Sequence, residues 1–342
     1  MIYRKIKAGQ IELKNAAMVA ISIFMALLII YPILSLYYYR EKDLGKYHPY
    51  FQLAPNKVPA ALQTKENSLV IICLGGSTTE FKDSAGLGWP KRVEQLLQNQ
   101  LKNKNVSVLN QGRQWYTTLH SLINYETNLR QHKPDVLIVM HTINDLLHNA
   151  DFSYFSHGSF REDYGHFYGP VNDLITRVSL EKRLLNFIGH FWYHFSRKTI
   201  DTETFPGEIS FENNLKTLID IAKKDKTRIV LVTQPSLYRK NIPEHFKSAL
   251  YMLNSEAIGP NYKWSYNTAL SGFERYNSII RRIAREYNVD LIDLETQIPK
   301  TLEYFKDDVH YHDKTFTLVS SEITKALLKL LNPASLHNKQ SK

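Results

Sequence analysis

Short apolar runs alternate with amphipathic segments along residues 68–331. Leu69–Leu74, Val106–Leu109, Val136–Met140, Arg228–Thr233 and Val289–Ile292 are brief and dominated by apolar residues, the pattern of strands buried on both faces. Trp89–Leu101, Leu119–Arg130, Phe211–Lys224, Gly272–Tyr287 and Lys314–Leu331 carry apolar positions at helical spacing. Strands of the first kind separated by helices of the second predict a parallel sheet covered on both sides. In such sheets ligands bind beyond the carboxyl ends of the strands. Two segments break the rhythm: Asn149–Glu208, rich in aromatics and histidines, and Asn241–Leu270. Both follow strand ends and are expected to overhang that side.

Upstream the pattern is different. Ala16–Leu36 holds no charged residue and, as a helix, would span roughly 30 Å, the thickness of bilayer hydrocarbon. Tyr37, Tyr38 and Tyr39 follow, as in an interfacial aromatic belt, and Arg4, Lys5, Lys7 and Lys14 precede. The run is too long for a signal-peptide core and shows no polar face. The expected organisation is a cytoplasmic N-tail (1–15), a transmembrane anchor (16–39) and a proline-containing linker (40–67). A catalytic domain (68–332, with a cap-like insertion at 149–208) and a disordered polar tail (333–342) follow. The positive-inside rule puts the domain in the periplasm or outside the cell. The net charge of +10 over 342 residues changes little, because the basic residues are scattered and no basic run interleaved with aromatics appears; nucleic acid is not an expected partner. The single cysteine, Cys73, lies in the first strand and reads as a small buried apolar residue.

Chemistry gathers at the strand ends. Cys73-Leu74-Gly75-Gly76-Ser77-Thr78-Thr79-Glu80 forms a strand–tight turn–helix corner that can present Ser77 beside helix N-terminal amides. The same residues spell a capping box, Ser77 with Glu80, so Ser77 is open to both readings. Asn110-Gln111-Gly112-Arg113 follows the second strand, His141-Thr142-Ile143-Asn144-Asp145 the third, and Asp307-Asp308-Val309-His310 precedes the last helix. Singly, each has a plain structural role: turn glycine, helix cap, solvated loop.

These four blocks, in this order, resemble the SGNH (GDSL-type) hydrolases, and the LGGSTT form of the first resembles the membrane-anchored members. The resemblance implies an α/β, flavodoxin-like three-layer sandwich with a parallel sheet of about five strands. It implies a serine esterase with Ser77 as nucleophile, His310 as base and Asp307 orienting the imidazole. The oxyanion would be held by the backbone amides of Ser77 and Gly112 and the side-chain amide of Asn144. Gly76 replaces the aspartate of the GDS form, a variation expected to leave the chemistry untouched. Thr142 replaces the glycine of G-x-N-D, which bears on the loop holding Asn144. Trp115 stands in place of a second glycine and is a candidate pocket wall. Asp308 is an alternative to Asp307.

Rival chemistries have less support. His190 and His194, at i,i+4, and His310 with His312 are the candidate metal pairs, but no H-E-x-x-H accompanies them. No phosphate-binding loop is present. No metal or organic cofactor is implied. The expected substrate is an O-acyl or O-acetyl ester on envelope glycan or lipid. Aromatics of the insertion, among them Phe152, Tyr154, Tyr164, Phe167, Phe191 and Trp192, suit either sugar rings or acyl chains. The alternative is a catalytically silent or acyl-transferring anchored module that binds envelope glycan.

Overall fold

The computed structural model describes residues 15, 17–31, 53, 55–58, 68–102, 104–149, 198–205, 207–250 and 262–331. The expected N-tail up to residue 14, most of the linker, the insertion from 150 to 197 with its aromatics, His190 and His194, and the tail from 332 lie outside the described residues. Contacts divide the chain into two units. In the first, residues 17–31 are helical, and the large apolar side chains from Met18 to Tyr31 are 40–62% exposed. Among the described residues no helix is long and apolar enough to cross a membrane; the flanks of this run that the anchor needs, 32–39, lie outside them.

The second unit is built on a sheet of five parallel strands: β1 (Ser68–Gly75), β2 (Asn105–Asn110), β3 (Val136–Met140), β5 (Arg228–Val232) and β7 (Asp290–Ile292). Their spatial order is β2-β1-β3-β5-β7. Counted along the chain, that is second, first, third, fourth, fifth, the doubly wound order whose switch point lies between β1 and β3. The register pairs Cys73 with Asn110 and with Ile138, so β1 is flanked on both edges. Every residue of β3 is buried, and so is β1 from Leu69 onward. The connection from β1 to β2 runs one way along the sheet and those from β2 onward run the other, and with the right-handed crossovers usual for parallel strands this order puts helices on both faces. Three helices of four residues, α1 (Ser77–Glu80), α6 (Glu244–Lys247) and α8 (Leu294–Gln297), lie in the connections. Of the longer ones, α2 (Trp89–Gln100) and α9 (Asp313–Leu331) pack together, and α3 (Thr118–Asn124), α4 (Ile143–Asn149), α5 (Glu208–Lys224) and α7 (Tyr266–Glu286) form the other group. Cys73 is buried in the central strand, and burial raises its thiol pKa well above the ordinary range, which keeps it protonated.

The structure departs from the expected organisation in three places. The helix expected over Leu119–Arg130 is α-helical only to Asn124, then widens into a π turn (Tyr125–Leu129) and tightens into a 3-10 turn (Arg130–His132). The last helix before β7 starts at Tyr266, six residues before Gly272, because Ser265 caps it by accepting from the Thr268 amide at 3.1 Å. Gly272 is a close-approach site inside this helix: a Cβ there would lie 2.6 Å from Leu146 of α4. The two irregular segments also meet, because β4 (Lys198–Ile200) pairs in parallel with β6 (Tyr262–Trp264). Three-residue strands carry too little periodicity to be read from sequence.

Part of the expected linker packs on this unit. Leu53 is buried, and Asn56 donates to the carbonyls of Asn110 at 3.2 Å and Gly112 at 2.9 Å. The Arg113 guanidinium donates in turn to Asn56 Oδ1 at 3.1 Å. The loop after β2 has carbonyls that no strand partner satisfies, and a side-chain amide from the linker supplies the donors.

Candidate active site

Three strand-end loops and one late hairpin build the site. After β1, Gly76 is the N-cap of α1, making Ser77 its first helical residue. No side chain caps this helix; the amides of Thr79 and Glu80 donate to the Gly76 carbonyl instead. The capping box is therefore not formed. Glu80 turns to the loop after β2, where its carboxylate accepts from the Gln114 amide at 2.5 Å and pairs with Arg113.

Ser77 Oγ lies 2.8 Å from His310 Nε2, and His310 Nδ1 lies 2.6 Å from Asp307 Oδ2. The carboxylate accepts, so Nδ1 carries the proton and Nε2 accepts from the serine hydroxyl. The hairpin holding Asp307 and His310 is closed by an antiparallel bridge between Phe305 and Tyr311. The other oxygen of Asp307 accepts from the backbone amides of Val309 at 3.0 Å and His310 at 2.9 Å. Burial pushes the Asp307 carboxyl up, but the hydrogen bond and charge of His310 and these two amides outweigh it and hold it below its ordinary value. Phe81 stacks on the His310 ring, with centroids 5.0 Å apart. Asp308 faces away: it is fully buried and accepts from the Tyr238 hydroxyl at 3.1 Å.

Asn144 sits in the first turn of α4 and donates from Nδ2 to the Tyr116 carbonyl at 2.9 Å. It lines a cavity of about 210 Å³ with Ser77, His310, Trp115, Ile143 and Leu147. Gly76 makes this approach possible: a Cβ there would stand 2.5 Å from Asn144 Nδ2. The variation at position 76 is thus not neutral to the site. Thr142 is accommodated without a glycine, because its buried hydroxyl donates its one proton between the His141 carbonyl at 2.5 Å and Asn277 Oδ1 at 3.1 Å. Asp145 is fully buried and accepts from the Thr118 amide and hydroxyl, which ties α4 to the start of α3. Burial raises the Asp145 carboxyl to about 7 and lowers the neighbouring His141 to about 3, leaving that imidazole neutral.

Gly112 is not brought to the cavity as expected. Its amide donates to Asn110 Oδ1 at 2.9 Å, and its missing side chain serves packing: a Cβ would meet Thr79 at 2.6 Å and the Glu80 amide at 2.8 Å. Asn110 is the residue sequence reasoning missed; its carboxamide closes this turn and also donates to the Thr79 carbonyl at 2.7 Å.

Trp115 lines the cavity in a left-handed backbone conformation, φ 66°. That conformation suits the glycine this position lacks, and it costs a bulky residue roughly 1–2 kcal/mol. Trp115→Gly is therefore expected to be more stable than Trp115→Ala by about 1 kcal/mol, the reverse of the usual order. Urea denaturation of the two variants measures this difference, and an alanine variant equal to or more stable than the glycine variant would contradict the strain.

Among the described residues, no group of three or more His, Cys, Asp or Glu is placed to hold a metal. The model of the family described as GDSL-like lipase/acylhydrolase matches residues 73–316. No curated protein matches the chain. Among solved structures, the chain is similar to the acetyl xylan esterase AlAXEase (16% identity, TM-score 0.45, covering 75% of this chain and 99% of that one). It is similar to the lipase/acylhydrolase from Enterococcus faecalis (16%, TM-score 0.46, 78% and 98%). It is also similar to a variant of Axe2, an acetyl xylan esterase from Geobacillus stearothermophilus (15%, TM-score 0.46, 75% and 94%).

Proposed function

Because the chain belongs to the GDSL-like lipase/acylhydrolase family and is an ester-hydrolysing enzyme, we propose that it works through an acyl-Ser77 intermediate. Ser77 Oγ attacks the ester carbonyl as His310 Nε2 takes its proton. Asp307 keeps the proton on Nδ1 and stabilises the imidazolium. The negative charge on the carbonyl oxygen is met by the Ser77 backbone amide and by Asn144 Nδ2; Gly112 joins only if its amide leaves Asn110. His310 then protonates the departing alcohol. Water repeats the cycle: His310 takes its proton, the hydroxide attacks the acyl carbonyl, and Ser77 leaves with the proton returned.

The single observation that carries this reading is the continuous chain Ser77 Oγ–His310–Asp307, with contacts of 2.8 and 2.6 Å. The test is labelling by a fluorophosphonate. The native chain should be modified and the folded Ser77→Ala variant should not; a native protein that resists labelling, or a variant that labels equally, would sink the proposal.

The enzyme is tethered by a transmembrane helix at 16–39 with its N-terminus cytoplasmic and acts in the periplasm or outside the cell. What supports this is the uncharged run Ala16–Leu36 and the exposed apolar side chains between Met18 and Tyr31. An O-acyl or O-acetyl ester of envelope glycan or lipid is the substrate that fits such a location.

A further inference from the structure

The site has a second cavity, and its lining differs in kind from the first. It measures about 220 Å³ and is bounded by Thr78, Phe81, Lys82, Lys306, Tyr311 and Phe316, with Asp307 and His310 on the shared wall. The first cavity holds Ser77, Asn144 and apolar side chains such as Ile143 and Leu147. Phe81, stacked on His310, borders both.

The order of proton transfers assigns the two cavities. The carbonyl oxygen must lie by the oxyanion donors, hence toward Asn144. The departing alcohol oxygen must lie by His310, which hands it a proton. His310 borders both cavities, so the one that lacks Asn144 and Ser77 is left for the far part of the alcohol. Its two cations are exposed, and neither Lys82 nor Lys306 has an ion-pair partner among the described residues. The nearby carboxylates are engaged: Asp83 with Arg92, Asp307 with His310, and Asp313 with Ser84. Asp313 is held low first by the Ser84 side chain and amide, and Lys306 adds to this only through space. The Lys306 backbone is fixed to the catalytic hairpin, its amide donating to the His310 carbonyl at 2.8 Å.

We propose that this cavity, through Lys82 and Lys306, binds the alcohol part of the substrate and selects esters whose alcohol carries a carboxylate or phosphate. Phe81, Tyr311 and Phe316 supply the apolar walls between that anion and the scissile bond. The inference rests on the acyl-Ser77 reading and extends it from reaction type to substrate class. A carboxylate on an acidic sugar and a phosphate on a headgroup share this chemistry, so the test carries both.

Three aryl acetates separate the possibilities: neutral 4-acetoxybenzamide, 4-acetoxybenzoate and 4-acetoxyphenyl phosphate, each rate normalised to its hydroxide hydrolysis. For the full chain, kcat/KM should favour one or both anionic esters by about 5-fold per lysine engaged at low salt, and the preference should shrink with added salt. In Lys82→Gln, Lys306→Gln and the double variant the ratio of anionic to neutral turnover should fall stepwise toward one. Preference for the carboxylate alone points to an acidic sugar, and for the phosphate alone to a headgroup. Equal normalised rates in the full chain, or a preference that survives the double variant, would overturn the subsite while leaving the serine mechanism standing. Ser77-independent turnover of all three esters would overturn the mechanism, and the subsite with it.

Discussion

Substituting His310 with alanine is expected to lower kcat for ester hydrolysis by about 10⁴-fold or more, with the fold retained. The imidazole is the only group within reach of Ser77 Oγ in the described hydrogen-bond network, at 2.8 Å, and a serine hydroxyl is a weak nucleophile without a base. The neighbouring acids make the expectation sharper. Asp307→Asn should cost a comparable factor, because an amide facing Nδ1 reverses the tautomer that Ser77 needs. Asp308→Asn should change kcat little and reduce stability instead, since that carboxylate is buried against the Tyr238 hydroxyl. Steady-state kinetics with parallel urea denaturation separate these outcomes. The assignment would be overturned if Asp308→Asn abolished turnover and Asp307→Asn did not.

Adjacent aspartates illustrate what a sequence conveys about a site. The spacing of three between Asp307 and His310 fits a hairpin in which one carboxylate reaches Nδ1, and the structure realises it at 2.6 Å. The three central strands, β1, β3 and β5, were legible for a related reason, whereas the edge strands β2 and β7 are only partly buried. A strand buried on both faces must be apolar throughout, and that run is visible without any tertiary information. The polar scaffold behind the site was not legible. Asn56, Asn110, Asn277 and Gln234 are spread over more than two hundred positions, and each acts through one or two hydrogen bonds to loop backbone. Such contacts need a polar side chain at the right place in space and leave no period in the chain. The helix expected from Gly272 begins at Tyr266, and Gly272 lies inside it at a close helix crossing. Trp115 was legible by half. Its replacement of a glycine was visible in the sequence, and the positive φ that makes the replacement costly was not.

The same interplay of glycine and neighbour governs the second large effect. Asn144→Ala is expected to reduce kcat by about 10²–10³-fold with KM changed much less, the signature of a donor that acts on the transition state. One hydrogen of its amide is held by the Tyr116 carbonyl, which fixes the plane of the group and leaves the other for the developing oxyanion. The helix that carries it is fixed at its start: Gln234 Oε1 accepts from the Ile143 amide at 3.0 Å, and Asp145 accepts from Thr118. Gly76→Ala should then lower kcat although it replaces none of the proposed catalytic residues, because its new Cβ would displace Asn144 Nδ2. The loss should be smaller, about 10–100-fold, since the amide is displaced and not removed. In the double variant the two losses should not add, because with Asn144 gone the Cβ has nothing left to displace. Additive losses, or a Gly76→Ala enzyme with native kcat, would show that the oxyanion is held elsewhere, with the Gly112 amide released from Asn110 as the next donor to test.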